Sequence, residues 1–301
     1  MATCMVGGRP VPDALLGELR DSSELLSTSE ELRSRMAEDS YVFLRGALDA
    51  GEIMAAREEV LERLAEVDEI KRPAVEGWAT GTSRRKELGG DLGEFWQSVS
   101  EGPNLRTATH GAKMRSILDA LFGEPSIGQD YVFLRVGVPG RSTDLHYDYP
   151  FFARGSERIV TVWFPVGEVS VVQGPLMIVE GSHHYSDLID LNQTLNYDST
   201  ASPRVALEDD AITFAQKRGT RLLTTHFQPG DIVVFGMTTL HGSLDNHSPE
   251  NRVRVSVDVR YQPASDPKDE RYFGAKPGGT TGVGYGELNG AKPLDQPWHV
   301  R

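Results

Sequence analysis

The chain of 301 residues holds a single cysteine, Cys4, so no internal disulfide can form. That excludes a disulfide-stapled scaffold and leads us to expect a reducing compartment, the cytoplasm. No run of about 18 apolar residues occurs, which argues against a helical membrane span, and the opening MATCMVGGRPVPD lacks the basic and apolar parts of a signal peptide. Positive charge is scarce as well: 31 Lys and Arg stand against 44 Asp and Glu, for a net charge of -13. Nucleic acid and anionic membranes reward basic patches, so neither is expected as a partner. A small-molecule substrate is the expectation that remains. Disorder is excluded by a hydrophobic content of 39% with 11 Phe, 9 Tyr and 4 Trp, enough for a sizeable core.

Along the chain, helical spacing dominates to about residue 125 and short strands follow. VPDALLGELRDSS and STSEELRSRMAED carry apolar residues at helical intervals, with Ser27 or Ser29 as candidate caps. YVFLRG reads as a strand. LDAGEIMAAREEVLERLAEVDEI places Ile53, Val60 and Leu64 near one face and predicts a long amphipathic helix that covers a sheet. KRPAVEGWATGTSRRKELGGD is polar and Gly-rich and predicts a surface loop, whose Arg84, Arg85 and Lys86 could also receive an acidic substrate together with Arg135 and Arg254. NLRTATHGAKMRSILDALFGE returns to helical spacing and stops at Gly123.

Eight strands are expected after that, in IGQDYVFLRVGV, TDLHYDYPFF, RIVTVWFPVGEV, PLMIVEGSH, TRLLTTHF, DIVVFGM, TLHGSL and RVRVSVDVRYQP. Short strands joined by Gly and Pro turns predict a sandwich or jelly roll. We expect one domain: a mainly helical cover over 1–125, a β core over 126–263 with a lid-like insertion at about 183–219, and a Gly- and Pro-rich tail over 264–301. The last strand alternates cleanly. Val253, Val255, Val257 and Val259 fall on one face, and Arg252, Arg254, Ser256, Asp258 and Arg260 on the other. Either the polar face meets solvent, or it lines a polar interior and faces a bound anion while the valines pack under the helices.

The chemistry concentrates in LHYDYPFF and LHGSLDNHSPENR. On a strand, His146 and Asp148 at i and i+2 point to one side and can share one metal ion, with His241 as the third ligand. Two imidazoles and one carboxylate suit non-haem Fe(II), because they cap one face and leave the other open. His183 and His184 read as a structural turn. His110, His226, His247 and His299 have no carboxylate at metal spacing, and Glu208, Asp209 and Asp210 read as a solvated face.

These motifs resemble the phytanoyl-CoA dioxygenase family of Fe(II)/2-oxoglutarate-dependent oxygenases. Three features carry the resemblance: HYD at His146 to Asp148, the distal His241, and Arg252 eleven residues beyond it. VTVWFPVGEVSVVQGPLMIVEGSHH is similar to the family's core segment, and the resemblance spans roughly residues 125 to 263. It implies a double-stranded β-helix (a cupin-like jelly roll) with helices packed on the outer face of one sheet. It further implies Fe(II) held by His146, Asp148 and His241, with 2-oxoglutarate and O2 as cosubstrates. Arg252 would grip the distal carboxylate of 2-oxoglutarate bidentately. Ser243 and Trp163 would line that pocket, and Gln129 and Arg135 would touch cosubstrate or substrate.

The activity implied is hydroxylation of an unactivated C–H bond of a small metabolite, with release of succinate and CO2. Desaturation or cyclisation on the same centre is the alternative, and a cupin-like metal enzyme without 2-oxoglutarate is another, although the usual cupin HxH pair is missing. An intact Asp148 disfavours halogenation, because related halogenases leave that position for chloride. Tyr131, Tyr147, Tyr149, Phe151 and Phe152 are candidates for an aromatic pocket beside the metal or for core.

Overall fold

The computed structural model describes residues 3–88, 92–140, 142–152, 154–193, 207, 209–275 and 277. The side chain of Lys86, Glu208, His299 and the QPWHVR terminus lie outside the described residues. The chain starts with the strands β1 (Met5–Val6), β2 (Arg9–Pro10) and β3 (Leu16–Glu18), then helix α1 (Ser29–Asp39) and strand β4 (Tyr41–Leu44). The helices α2 (Ala50–Glu66), α3 (Leu92–Ser100), α4 (Pro103–His110) and α5 (Ala112–Phe122) follow. Next come β5 (Ser126–Gly128), β6 (Phe133–Gly137), the short helix α6 (Tyr149–Phe152), β7 (Val160–Pro165) and β8 (Leu176–Val179). The helices α7 (Ser186–Gln193) and α8 (Ala211–Arg218) precede β9 (Leu222–Thr224), β10 (Ile232–Gly236), β11 (His241–Ser243) and β12 (Arg254–Pro263).

Six strands form the larger sheet in the order β4-β10-β7-β12-β5, with β6 also on β12. The smaller sheet runs β11-β8-β9-β3. Phe43, Trp163, Val233 and Phe235 of the first meet Leu176, Ile178 and Leu223 of the second in one buried cluster. This is the expected cupin-like jelly roll, open rather than closed into a barrel.

The alternation of β12 resolves in favour of the lined interior. Val253, Val255, Val257 and Val259 are fully buried in a cluster with Ile53, Val60, Leu61 and Leu64 of α2. Each such valine contributes about 1.5–3 kcal/mol relative to exposure. The opposite face carries Arg254, Ser256, Asp258 and Arg260, all buried, into the space between the sheets.

Local expectations fail where long-range pairing outweighs propensity. VPDALLGELRDSS forms only a 3-10 turn at Asp13–Leu15, and then β3, which pairs in parallel with β9. The cap of α1 is Thr28 rather than Ser27 or Ser29, and no side chain caps it. The helical stretch after Gly102 breaks into α4 and α5 at Gly111. TDLHYDYPFF is not a regular strand either: His146 makes an isolated bridge to His241, and Tyr149–Phe152 turn into α6. Within the insertion, Asp210 caps α8 by accepting from the N–H groups of Ile212 and Thr213. Ala211, Ile212, Phe214 and Ala215 bury that helix against Val6, Val11 and Tyr147, so it is packed in place.

Candidate metal centre

The centre is built where β11 meets the segment before α6. His146 N–H donates to the His241 carbonyl at 2.9 Å, and His241 N–H returns the bond at 3.1 Å. Gly242 makes this approach possible: a Cβ there would lie 2.6 Å from the Thr143 carbonyl oxygen. The two imidazoles stand 4.2 Å apart between centroids. Asp148 follows two residues after His146, and ligand atoms of all three residues lie within 4.8 Å of one another. Among the described residues this is the one His, Asp and Glu group so arranged.

Each ligand is held by a specific partner. His146 Nδ1 donates to the Asp144 carbonyl and His241 Nδ1 to the Thr239 carbonyl, both at 2.9 Å. Those bonds fix the tautomer and leave Nε2 of each ring as a lone-pair donor. Burial pushes the His146 pKa down to about 3, helped by the neighbouring His241, and burial lowers that of His241 too. Both rings are therefore neutral at pH 7, as metal ligation requires. Burial opposes ionisation of Asp148, but Arg260, the two imidazoles and Thr161 more than offset it and hold the carboxyl well below its usual range. Thr161 Oγ1 donates to Asp148 Oδ2 at 2.5 Å, and Arg260 Nη2 donates to Oδ2 at 3.0 Å and to Oδ1 at 3.2 Å. Neither residue belonged to the expected site. The signal for Arg260 was present in the alternation of β12; for Thr161 no local pattern pointed to it.

The expected cosubstrate residues are placed as follows. Trp163 faces the interior with its ring 4.8 Å from that of Phe227. Ser243 is buried, and its Oγ accepts from the Thr143 N–H at 2.8 Å. Gln129 is fully buried, and Arg135 forms an ion pair with Asp258. Arg252 is not brought to the centre: it is 34% exposed, pairs with Glu76 at 2.8 Å and Glu250 at 2.6 Å, and lies over the Trp78 ring. Arg254, two residues on along the same face, is buried instead. Its Nη1 donates to the Gly174 carbonyl, while its Nε has no partner. Gly174, at φ +71, packs so closely on the chain next to Ser243 that a Cβ would sit 2.4 Å from the Leu244 oxygen. The Arg254 guanidinium thus reaches the chain beside Ser243, and burial together with Arg135 pulls its pKa down to about 10.

The basic loop has internal partners. Arg85 is buried against Glu69 and lies over the rings of Phe95 and Trp96, while Arg84 pairs with Asp68 and Glu87. His183 and His184 sit in a 3-10 turn, as expected of a structural pair. Phe151 and Phe152 join Phe133 and Tyr272 in an aromatic cluster with Tyr131 and Tyr149 beside it, whereas Tyr147 packs elsewhere and donates to the Ser182 carbonyl.

Two neutral imidazoles and one ionised carboxylate, preset by their partners, fit a divalent iron. The family model described as phytanoyl-CoA dioxygenase (PhyH) matches residues 36–254 of this chain. The chain belongs to the phytanoyl-CoA dioxygenase family. Among curated relatives, the 1-deoxypentalenic acid 11-beta-hydroxylase of Streptomyces exfoliatus is 25% identical over 267 residues, covering 83% of this chain and 87% of the relative. The solved epimerase SnoN, in complex with Fe3+, alpha ketoglutarate and nogalamycin RO, is similar at a TM-score of 0.52 and 20% identity, over 83% of this chain and 93% of that one. EctD from S. alaskensis, with 2-oxoglutarate and 5-hydroxyectoine, is similar at a TM-score of 0.52 and 17% identity, over 92% and 89%. As a phytanoyl-CoA dioxygenase family member with its His-Asp-His set in place, the protein is an Fe(II)- and 2-oxoglutarate-dependent dioxygenase.

Proposed function

We propose that this dioxygenase hydroxylates an unactivated C–H bond of a small-molecule metabolite, with release of succinate and CO2. The observation that carries the proposal is the complete facial set, with Asp148 ionised and held by Thr161 and Arg260. His146, Asp148 and His241 would hold Fe(II), which when bound supplies oxygen activation coupled to the decarboxylation of 2-oxoglutarate.

The chain supplies position, charge and dryness. Arg254 would receive the distal carboxylate of 2-oxoglutarate, with Ser243 beside it and Trp163 closing the pocket against water. Arg252, at the exposed entry of β12, would stay with its glutamates. The name of the Streptomyces relative, a hydroxylase, supports hydroxylation as the outcome. No helix among the described residues is long and apolar enough to cross a membrane, and the lone Cys4 supports a cytoplasmic location.

The test uses iron-loaded protein, 2-oxoglutarate, labelled O2 and a panel of small metabolites, scoring succinate above the uncoupled background. The proposal predicts a product that has gained one labelled oxygen. Loss of two hydrogens without oxygen would move the outcome to desaturation or cyclisation. Turnover that does not need 2-oxoglutarate would sink the reading.

A further inference from the structure

The chain beyond β12 does not leave the fold, and nothing described above gives its returning stretch a role. Ala264 N–H donates to the Pro125 carbonyl at 2.8 Å, and Asp266 accepts from Ser156 Oγ at 2.5 Å and pairs with Arg158. Gly155 lets the returning chain pass: a Cβ there would lie 2.6 Å from the Asp269 nitrogen. Farther on, the Tyr272 carbonyl accepts from the Tyr131 N–H at 3.1 Å, and the Gly274 N–H donates to Asp130 Oδ2 at 2.6 Å. Residues 264–275 form a strap, tied first to the turn between α6 and β7 and then to the turn between β5 and β6.

Tyr272 anchors the strap. It is 0% exposed, its hydroxyl donates to the Phe151 carbonyl at 3.1 Å, and its ring centroid lies 5.0 Å from that of Phe152. Phe152 stands four residues beyond Asp148, on the helix that the metal motif runs into. The Arg260 guanidinium carbon lies 4.3 Å from the Phe152 ring centroid and 4.4 Å from that of Phe133. Those rings matter to Arg260, because only Nη2 of its guanidinium is hydrogen-bonded, to Asp148, while Nε and Nη1 have no partner among the described residues. A cation against aromatic faces in a dry interior is attracted to them. An unbroken run of contacts leads from the strap to the metal-binding carboxylate, through Tyr272, Phe152, Arg260 and Asp148.

We propose that Tyr272 is a positioning residue for the metal centre: its ring holds Phe152 against Arg260, and Arg260 so held keeps the Asp148 carboxylate aimed for the metal. The ring carries the effect rather than the hydroxyl, since the Phe151 carbonyl also accepts from Arg271 Nη2 at 3.1 Å and keeps that donor when the hydroxyl is removed. Tyr272 acts only through Phe152 and Arg260. Losing its ring frees Phe152 to shift, Arg260 loses an aromatic wall, and the carboxylate is no longer preset. This inference rests on the reading of His146, Asp148 and His241 as the iron site.

The test loads wild type, Tyr272→Leu and Tyr272→Phe with Co(II) in place of iron and measures affinity by chelator competition and the d–d absorption at saturating metal. Tyr272→Leu should bind Co(II) about five- to tenfold more weakly, less than the loss of a direct partner of a ligand, and its d–d bands should shift as the carboxylate changes its approach. Tyr272→Phe should stay within about twofold of wild type and keep its spectrum. Arg57→Met controls for lost stability alone, because the Arg57 guanidinium serves the Val75 and Val166 carbonyls, and it should leave affinity and spectrum unchanged. Wild-type affinity and spectrum in Tyr272→Leu, or an equal loss in Tyr272→Phe or Arg57→Met, overturns the proposal. Should Tyr272→Leu not fold, Phe152→Leu reads the next contact in the run, with the same loss expected and wild-type behaviour overturning it. Failure of the wild type to bind Co(II) at all would instead overturn the metal centre beneath it.

Discussion

Replacing Arg254 with leucine removes the buried guanidinium that reaches the chain next to Ser243, and the structure sets the size of the effect. Arg254 is 6% exposed, with Nε unpartnered. If Arg254 receives the distal carboxylate of 2-oxoglutarate, as proposed, that carboxylate loses its counter-charge in the variant, which costs about 3–5 kcal/mol. That corresponds to roughly two to four orders of magnitude in affinity for 2-oxoglutarate. Arg252→Leu is the matched control. Arg252 is 34% exposed and paired with two surface glutamates, a type of contact worth about 0–1 kcal/mol, so affinity should change by less than about fivefold. Calorimetry with 2-oxoglutarate on the metal-loaded protein, without oxygen, reads both variants, and circular dichroism confirms that each is folded. A hundredfold loss in Arg252→Leu beside near-wild-type affinity in Arg254→Leu would refute the placement.

Three further outcomes follow from the geometry. Thr161→Val keeps shape but removes the hydroxyl that donates to Asp148 Oδ2, and should weaken metal affinity about 10- to 100-fold in a chelator competition; unchanged affinity contradicts a role for Thr161 in presetting the ligand. His146 and His241 are held neutral by burial, so below their unfolded value of about 6.5 only the unfolded chain takes up the protons. Their contribution to the stability of the metal-free protein is full above about pH 6.5. It falls by up to about 1.4 kcal/mol per pH unit for each ring as the pH drops toward their folded values, and a flat urea midpoint between pH 7 and 5 would contradict this. Arg57→Met leaves the Val75 and Val166 carbonyls without their donor and should cost about 2–4 kcal/mol in urea unfolding, with 2-oxoglutarate affinity intact.

What the sequence disclosed follows range. HYD, the distal His241 and the valine alternation of β12 are patterns within a few residues, and the periodicity of α2 is equally local. The partners of Asp148 are not. Thr161 lies 13 residues away and Arg260 112, and only the pairing of β7 with β12 brings them together. Arg252 and Arg254 share one face of the strand, so the alternation could not distinguish them. Their surroundings do: Arg252 bridges to Trp78 and pairs with Glu76 of a loop distant in sequence, whereas Arg254 is buried. The stretch that contains β3 has helical spacing, while the parallel pairing with β9 decides its state. Arg85 sits in a basic stretch suited to an anion, but Glu69, 16 residues earlier, already occupies it.

The central claim is tested most directly by following succinate from 2-oxoglutarate in wild type and Asp148→Ala. Wild type should release succinate slowly even without substrate, only with Fe(II) and oxygen, and a chelator should stop it; Asp148→Ala should release none. Succinate formation that survives the loss of iron or of Asp148 would contradict the account.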